Sequence, residues 1–263
     1  MKIDMKRTFF LLVLVSQFLL GYAQYYKETG RFACKMAKQA VVVDEGYMYA
    51  VSNKTIIKYT LSGDSITEWK ETEPESIIHM NSGCIIGDLL YCVNSNYPQL
   101  PMTSSIEVFD KKTLKHVNHI SLGIRHGSCT WAVKKGNKWY AFFAHYANYA
   151  QQPGRDVSWS HLVEFDEEWR ELQAWVLPED LIKKLNPCSL SGGLFVDDLL
   201  FCTGHDAAEC YVLALPQRGS TLKWLKTYPV PFPGQAISMD EQGNLWGIDR
   251  ANDMIIKATF MTE

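Results

Sequence analysis

Residues 192–202 read Gly-Gly-Leu-Phe-Val-Asp-Asp-Leu-Leu-Phe-Cys, and this phrase decides the fold because the chain repeats it with variation. Residues 39–50, 82–92 and 235–247 carry the same order of features, and a more divergent copy precedes residue 192. Each copy has an apolar run, a turn of Asp, Glu or Gly residues, and a second apolar run with an aromatic residue. Two apolar runs around a tight turn predict a buried β-hairpin.

The copies recur about every 40–50 residues, which is the spacing of the blades of a β-propeller. We therefore predict an all-β fold of five four-stranded blades, with a single propeller domain over residues 24–263. A six-bladed ring stays open as the alternative, because the third repeat is longer than the others. A closed ring leaves only short, protected edges. Residues 25–34 are accordingly predicted to close the ring as the outer strand of the last blade, beside residues 254–259.

Further strands are predicted after each hairpin from apolar residues that alternate with polar ones. The predicted third strands cover residues 56–59, 105–110, 161–166, 209–213 and 254–257. The predicted fourth strands cover residues 65–69, 116–120, 171–176 and 222–228. Pro178 followed by two acidic residues predicts a short helix over residues 178–185.

The first 23 residues have the features of a secretory signal peptide. Lys2, Lys6 and Arg7 precede an apolar run over residues 9–20, and Gly21 and Ala23 place small residues at the −3 and −1 positions of a cleavage site. We expect cleavage after Ala23 and a secreted or periplasmic protein. An N-terminal membrane anchor is the alternative, and the apolar run is short for that role.

Composition excludes some partners. The formal net charge is −3 and no cluster of Lys and Arg residues occurs, so a nucleic-acid partner is not expected. No later segment is long and apolar enough to span a membrane. We expect a monomer that binds a small molecule or a glycan.

The chain has seven cysteines, an odd number, at Cys34, Cys84, Cys92, Cys129, Cys188, Cys202 and Cys210. Those within apolar strands are expected to be buried thiols. In an oxidising compartment disulfides also form. Cys202 and Cys210 flank a short loop and are the best candidate pair, with Cys129 and Cys188 as a weaker one. No C-x-x-C spacing suggests zinc.

The blade phrases, with Asn-Ser-Asn-Tyr-Pro at 94–98 and Thr-Gly-His-Asp-Ala at 203–207, resemble those of secreted bacterial β-propellers. That broad class includes NHL-repeat, YVTN-repeat and gluconolactonase-like proteins and exported proteins loosely labelled cycloisomerases. The propeller-type glutaminyl cyclases are five-bladed members of the same wider group. The resemblance covers most of the mature chain and implies the fold. It transfers no catalytic residue, because the motifs of a glutaminyl cyclase or a lactone-forming cycloisomerase are not found.

Polar residues stand where each first strand begins and where each second strand ends. These two points lie at the same end of a hairpin, so both sets are expected to meet at one mouth of the central channel, where propeller loops carry function. The predicted ligand-binding residues are Gln39, His79, Asn81, Asn96, Tyr97, Arg125, Tyr146 and Gln235. The predicted catalytic residues are His145, His205, Asp206, Asp249 and Arg250.

The catalytic hypothesis gives each residue type a role. His145 or His205 serves as acid and base, Asp206 or Asp249 orients the imidazole, and Arg250 binds an anion. The alternative is that polar residues at strand ends satisfy exposed backbone groups and turns.

No cofactor is predicted. A divalent metal in the channel is the alternative, held by His145 and His205 with Asp206 or Asp249, because these ligand types suit zinc or another transition ion. A Ser-His-Asp hydrolase is disfavoured, since Gly127-Ser128-Cys129 lacks the G-x-S-x-G pattern.

Two functional hypotheses follow. In the first, an exported propeller binds a small polar or carbohydrate-derived ligand at the channel mouth and, in its enzymatic version, converts it. Two inserts, residues 97–104 and 146–159, would form the rim, with aromatic side chains that stack on a sugar. In the second, a non-catalytic propeller presents its face to a protein or a glycan.

Overall fold

A computed structural model describes residues 23–73, 76–148 and 150–263. In this part of the chain, twenty strands form five four-stranded antiparallel sheets, the blades of a propeller. Among the described residues no helix has the length and apolar character needed to cross a membrane. The predicted signal peptide, apart from Ala23, lies outside the described residues.

Each blade runs from an inner strand at the channel to an outer strand. Blade 1 contains β2 (Ala40–Asp44), β3 (Tyr47–Ser52), β4 (Thr55–Thr60) and β5 (Ser65–Lys70). Blade 2 contains β6 (His79–Ile86), β7 (Leu89–Ser95), β8 (Ser104–Asp110) and β9 (His116–Gly123). Blade 3 contains β10 (Ser128–Lys135), β11 (Lys138–Ala144), β12 (His161–Phe165) and β13 (Glu171–Val176). Blade 4 contains β14 (Gly192–Val196), β15 (Leu199–Thr203), β16 (Glu209–Ala214) and β17 (Lys223–Pro229). Blade 5 contains β18 (Ser238–Met239), β19 (Leu245–Asp249), β20 (Met254–Thr262) and β1 (Gln24–Ala33).

The prediction of five four-stranded blades is confirmed, and the longer third repeat is one blade with an insert. The predicted helix is also present as α1 (Glu179–Leu185). Glu179 and Asp180 lie in its first turn and Lys183 and Lys184 in its last. These charges oppose the partial charges at the two helix ends and therefore stabilise a short helix.

The N-terminal strand closes the ring as the sequence predicts. β1 pairs antiparallel with β20 in a register that runs from Gln24 opposite Thr262 to Ala33 opposite Met254. Tyr26 is buried, and its ring lies 6.2 Å from that of Tyr228 in blade 4. The first strand of the chain therefore joins the last blade and packs against the one before it.

The candidate disulfide between Cys202 and Cys210 is wrong, because all seven cysteines are free. Cys210 lies opposite Thr203 in the register, and Cys202 lies opposite Tyr211. Successive side chains on a strand point to opposite faces. Cys202 therefore packs between blades 3 and 4, whereas Cys210 packs between blades 4 and 5.

The outer strands share a feature that the blade pattern does not predict. In blades 1 to 4 the register between the third and fourth strands shifts by one residue. The residue left over at the shift near the start of each outer strand is a half-exposed hydrophobic one: Ile66 at 49%, Val117 at 49%, Leu172 at 51% and Leu225 at 50%. Blade 2 has a second shift, at Leu122. An edge strand with an extra residue cannot pair regularly with another chain, so these bulges protect the outer edges of the propeller.

Candidate functional site

The hairpin registers place both predicted sets of polar residues at one end of the ring. Ala40 lies opposite Val51, Ser128 opposite Ala144, and Gly192 opposite Thr203. The start of each inner strand thus adjoins the end of the next strand. We call this end of the channel the mouth.

Three of the predicted catalytic residues meet at the mouth, across the junction of blades 4 and 5. The Asp206 carboxylate lies between two partners: its Oδ2 is 2.7 Å from His205 Nδ1, and its Oδ1 is 2.8 Å from Arg250 Nη2. The side chains of His205 and Arg250 are each 35% exposed, and that of Asp206 is 72% exposed. The cluster is therefore held together on one side and open to solvent on the other.

The carboxylate determines how His205 presents its ring. An ionised carboxylate accepts hydrogen bonds only, so Nδ1 donates to Asp206 and a neutral ring carries its lone pair on Nε2. The backbone of Arg250 is also fixed, because its carbonyl oxygen accepts a hydrogen bond of 2.8 Å from Lys38 Nζ in the segment before blade 1. The imidazole of His205 and the guanidinium of Arg250 thus lie on either side of the Asp206 carboxylate.

A second group at the mouth consists of aromatic rings. The rings of His79 and Tyr97 lie 5.0 Å apart, and those of Tyr97 and Tyr146 lie 5.1 Å apart with an edge-on geometry. Burial lowers the pKa of His79 to about 4, so its ring is neutral at physiological pH. These three partly buried side chains form an aromatic arc over blades 2 and 3.

The loop before blade 4 connects the aromatic arc to the charged cluster. Pro187 accepts a backbone hydrogen bond of 2.9 Å from Ala147, the residue after Tyr146. The charges of the cluster act on the next residue, Cys188. Burial and the Asp206 carboxylate raise the pKa of the Cys188 thiol, while Arg250 lowers it. The loop at residues 187–188 thus adjoins Ala147 on one side and the Asp206 and Arg250 charges on the other.

Four predicted ligand-binding residues form hydrogen bonds within the protein. Gln39 Nε2 donates to Asn53 Oδ1 at 2.9 Å, and Gln235 Nε2 donates to the His205 carbonyl oxygen at 2.9 Å. Asn81 Nδ2 donates across the junction of blades 2 and 3 to the Cys129 carbonyl oxygen at 3.2 Å. Asn96 stabilises its own loop. Its Nδ2 donates to the Pro101 carbonyl oxygen at 2.9 Å, and its Oδ1 accepts from the Thr103 amide at 2.7 Å. These contacts agree with the alternative in which polar residues at strand ends satisfy exposed backbone groups and turns.

The structure does not bring His145 into the exposed cluster. His145 is fully buried in blade 3, and its Nε2 lies 2.9 Å from the His126 carbonyl oxygen. Its Nδ1 has no hydrogen-bond partner among the described residues. Burial lowers the pKa of His145 to about 4, because the cost of burying a positive charge outweighs the opposing effects of the His126 carbonyl and the Asp156 carboxylate.

Two further predicted residues have partners outside the cluster. Asp249 lies 2.8 Å from Asn252 Nδ2 and 3.5 Å from Arg31 Nη1, and the Asn252 hydrogen bond is the main cause of its lowered pKa. Arg125 pairs with Glu171 Oε2 at 3.0 Å on the outer side of blade 3. Both residues are at the mouth end.

Sequence reasoning missed His161 and Glu171, the two polar partners of His126 beside Arg125. His126 Nδ1 lies 3.3 Å from His161 Nε2, and its Nε2 lies 3.6 Å from the carboxylate of Glu171. Burial lowers the pKa of His126 to about 4. The contact of His126 with Glu171 could not be predicted from the sequence, because Glu171 has the pattern of an exposed residue in an outer strand. In the described part of the chain, no three His, Cys, Asp or Glu side chains converge as a metal site requires.

Comparisons with known proteins establish the fold and no family. No protein-family model matches the chain, and no curated protein sequence matches it. Among solved structures, the chain is similar to the glutaminyl cyclase of Myxococcus xanthus, with a TM-score of 0.63, 8% identity, and coverage of 92% of this chain and 99% of that one.

Two other structures are weaker matches. The WD40 domain of Toxoplasma gondii coronin gives a TM-score of 0.41 at 14% identity, covering 83% of this chain and 54% of that one. The computationally designed Ika4 protein gives 0.39 at 8% identity, covering 76% and 96%. The glutaminyl cyclase match supports the five-bladed propeller, and at this identity it shows the fold alone.

Proposed function

We propose that this chain is an exported propeller that binds a small polar ligand with a carboxylate and several hydroxyl groups, such as a sugar acid, at the mouth. The observation that carries the proposal is the Asp206 carboxylate held between His205 and Arg250 on the open side of the ring. The aromatic arc supplies the second half of the site.

Arg250 is the group that selects an acid. A guanidinium has five N–H donors, and Asp206 uses one of them, through Nη2. The remaining donors have the planar geometry that matches a carboxylate. Asp206 holds the guanidinium in place. Because the Asp206 side chain is 72% exposed, water screens its charge, and it competes only weakly with a bound anion for the Arg250 donors.

The aromatic arc is suited to the body of such a ligand. Tyr97 and Tyr146 meet edge to face and present apolar ring surface with polar hydroxyl tips. Aromatic faces stack on the apolar face of a sugar ring, while hydroxyl groups find hydrogen bonds around it. The arc and the cluster would therefore contact opposite ends of one ligand.

The enzymatic version of the proposal adds a proton transfer by His205. With Nδ1 directed at Asp206, Nε2 is the nitrogen that can take a proton from a ligand hydroxyl or carbon. Asp206 then stabilises the imidazolium that forms, and Arg250 stabilises negative charge on the ligand. His205 would be the base, Asp206 its orienting partner and Arg250 the anion-binding group.

Isothermal titration calorimetry with D-glucuronate, D-gluconate and quinate tests the binding proposal, with methyl glucoside as the uncharged comparison. We expect at least one acid to bind and Arg250→Ala to weaken it at least tenfold. Arg170→Ala is the matched control, because Arg170 is also an exposed arginine paired with Asp166 and Glu168, at the opposite end of its blade. Equal affinity of the Arg250→Ala and wild-type proteins would refute the site.

Turnover is followed separately by NMR of the same mixtures. If the protein is an enzyme, His205→Ala should keep binding within about threefold and lose turnover. If the wild-type protein binds an acid without turnover, the binding proposal stands and its enzymatic version is wrong.

One observation favours the second function, recognition of a protein or glycan. Three large hydrophobic side chains are exposed in segments on the mouth side of blades 2 and 3: Leu100 at 43%, Ile124 at 60% and Trp159 at 51%. Exposed apolar groups beside a polar rim are typical of interaction surfaces. A triple substitution of these residues by serine would abolish partner binding and leave sugar-acid binding unchanged if this second function also holds.

A further inference from the structure

Gln235, just before blade 5, has a backbone conformation that residues with a Cβ rarely adopt. Its φ is +138°, a value that glycine tolerates and that is strained for glutamine. Gln235 is also buried, at 4% exposure, although glutamine is mostly an exposed residue. Backbone strain of this kind persists only where the surrounding structure over-determines the residue, and it is concentrated at functional sites.

Three hydrogen bonds hold Gln235 and the residue after it. The side-chain Nε2 of Gln235 donates to the His205 carbonyl oxygen in blade 4 at 2.9 Å. Its own carbonyl oxygen accepts from the hydroxyl of Thr203, at the end of the second strand of blade 4. The amide of Ala236 donates at 3.3 Å to the carbonyl oxygen of Gln39, before blade 1. The strained residue is thus fixed from both sides, with its amide directed at the backbone of His205.

Glycines allow the two backbones to come this close. A Cβ at Gly234 would overlap the carbonyl oxygen of Gly204, the residue before His205. A Cβ at Gly192 would lie 2.6 Å from the Gln235 carbonyl oxygen. Larger residues at these positions would push the segment before blade 5 away from the loop that carries His205, because only glycine permits such a close approach of backbones.

The contact is placed where it can control the imidazole. His205 lies on the loop between β15 and β16, and the far end of this loop is held by the Val230 amide, which donates to the Ala208 carbonyl oxygen at 3.1 Å. Gln235 holds the near end. The imidazole itself is 35% exposed and is bonded to Asp206 through Nδ1. Its direction therefore depends on the backbone that carries it as well as on Asp206.

We propose that Gln235 is a positioning residue: its amide fixes the backbone of His205, so that the imidazole stays directed at Asp206 and keeps Nε2 for the ligand. Because Gln235 is buried, it acts on the site through His205 and not by contact with a ligand. The inference rests on the proposed function, since the site at the mouth gives His205 its role.

Long-range proton–nitrogen NMR spectra of the protein labelled with nitrogen-15 histidine test the proposal without any ligand. They are recorded at about pH 8.5, where an ordinary histidine is neutral, and they report which ring nitrogen carries the proton. His205→Asn identifies the His205 signals by their loss. In the wild type we expect the Nδ1–H form to predominate, because Asp206 accepts from Nδ1. Asp206→Ala gives the reference for a ring without this acceptor.

Two variants remove the amide of Gln235. Gln235→Ala keeps the strain, whereas Gln235→Gly also removes the Cβ that causes it. In both, the ratio of the Nδ1–H form to the Nε2–H form should fall at least about twofold towards that of Asp206→Ala, the lower end of what one hydrogen bond contributes. Gln235→Gly should melt at a higher temperature than Gln235→Ala, because glycine adopts a positive φ without strain. It therefore serves as the test if Gln235→Ala does not fold.

Gln39→Ala is the matched control. Gln39 stands before the inner strand of blade 1 as Gln235 stands before that of blade 5, and its Nε2 donates to Asn53 Oδ1 of its own blade at 2.9 Å. Loss of that amide should leave the His205 ratio at its wild-type value. An equal change in Gln39→Ala and Gln235→Ala would reflect a general loosening of the mouth and would overturn the proposal.

The outcomes separate this inference from the proposed function. If the sugar acids bind the wild type but a folded Gln235 variant keeps the wild-type ratio, the positioning role is wrong and the site at the mouth stands. If the ratio falls in the Gln235 variants and no acid binds, Gln235 positions His205 and the function proposed for the mouth is wrong. A wild-type ring without a predominant Nδ1–H form would also overturn the inference, since His205 would then not be directed at Asp206.

Discussion

Arg250 Nη2 in blade 5 lies 2.8 Å from Asp206 Oδ1 in blade 4, so one carboxylate joins two neighbouring blades at the mouth. An exposed ion pair of this kind is screened by water and contributes about 0–1 kcal/mol to stability. Stability alone therefore gives little reason for placing a histidine, an aspartate and an arginine together here. The arrangement is the basis of the ligand site that we propose at the mouth.

The first prediction follows from that exposure. Asp206→Asn should change the free energy of unfolding by less than about 1 kcal/mol, as measured by urea denaturation. Glu164→Gln is the matched control, because Glu164 is 2% exposed and accepts hydrogen bonds from Lys138 and from Gln173. Loss of a buried carboxylate with such partners should cost about 1.5–3 kcal/mol. Equal losses in the two variants would make Asp206 a structural bridge.

The second prediction concerns closure of the ring by β1. Tyr26→Ala should lower the free energy of unfolding by about 3–5 kcal/mol, the usual loss for a large buried aromatic residue, because Tyr26 packs against Tyr228 and Phe260. Tyr25→Ala, on the other face of the same strand, should cost less than about 1 kcal/mol, because the Tyr25 hydroxyl bonds Glu263 at the surface. Urea denaturation of both variants checks this, and similar losses would contradict the role of β1 as part of the core.

The sequence predicted the blades well because a hairpin is a local structure. The turn residues at 44–46 and 197–198 and the apolar runs beside them specify each inner pair without any distant contact. The bulged residues Ile66, Val117, Leu172 and Leu225 were not predicted. A bulge depends on pairing with a second strand, and in the sequence its extra apolar residue looks like a buried one.

The site was predictable in part for the same reason. Strand ends can be located in the sequence, so the mouth and the neighbours His205 and Asp206 were found together, and Arg250 followed from the equivalent point in the next repeat. Burial of His145 was not predictable. It depends on Gly127, just before β10, and on Ser160, which reaches His145 only after the insert over residues 146–159 has folded back.

The third prediction tests the packing around His145. Gly127 has a φ of +123°, and a Cβ at this position would lie 2.6 Å from His145 Nε2. Gly127→Ala combines backbone strain with a steric clash, so it should cost at least about 3 kcal/mol. Gly123→Ala is the control, because it has a positive φ of +62° with nothing within 4 Å of the added Cβ, and it should cost about 1–2 kcal/mol.

Thermal and urea denaturation of the two glycine variants measure the difference. If both lose the same free energy, backbone conformation alone explains the glycine at 127, and the contact with His145 has no energetic role.

The fourth prediction concerns the thiols. Denatured and unreduced protein should take up seven alkylating groups in an intact-mass measurement, because all seven cysteines are free. Cys202 and Cys210 point to opposite faces of blade 4, so oxidation should not join them without unfolding the blade. A loss of two sites from the mass, mapped to these two residues, would contradict the register of β15 and β16.

The fifth prediction is a loss of stability in acid that comes from buried histidines. Burial lowers the pKa of His145 and of His126 to about 4, against about 6.5 in an unfolded chain. Between these values the unfolded state binds more protons than the folded state, so stability is retained above pH 6.5 and is lost as the pH falls towards 4. A fully buried histidine with this shift accounts for up to about 3 kcal/mol.

His145→Asn separates this effect from the general acid sensitivity of the fold. Its free energy of unfolding, measured in urea at pH 7 and pH 4.5, should fall by about 2–3 kcal/mol less than that of the wild type. His119→Asn is the control, because His119 lies exposed on the outer strand of blade 2, and its pH dependence should match that of the wild type. An unchanged pH dependence in His145→Asn would mean that the pKa of His145 is the same in the folded and unfolded states, which would contradict the lowering attributed to burial.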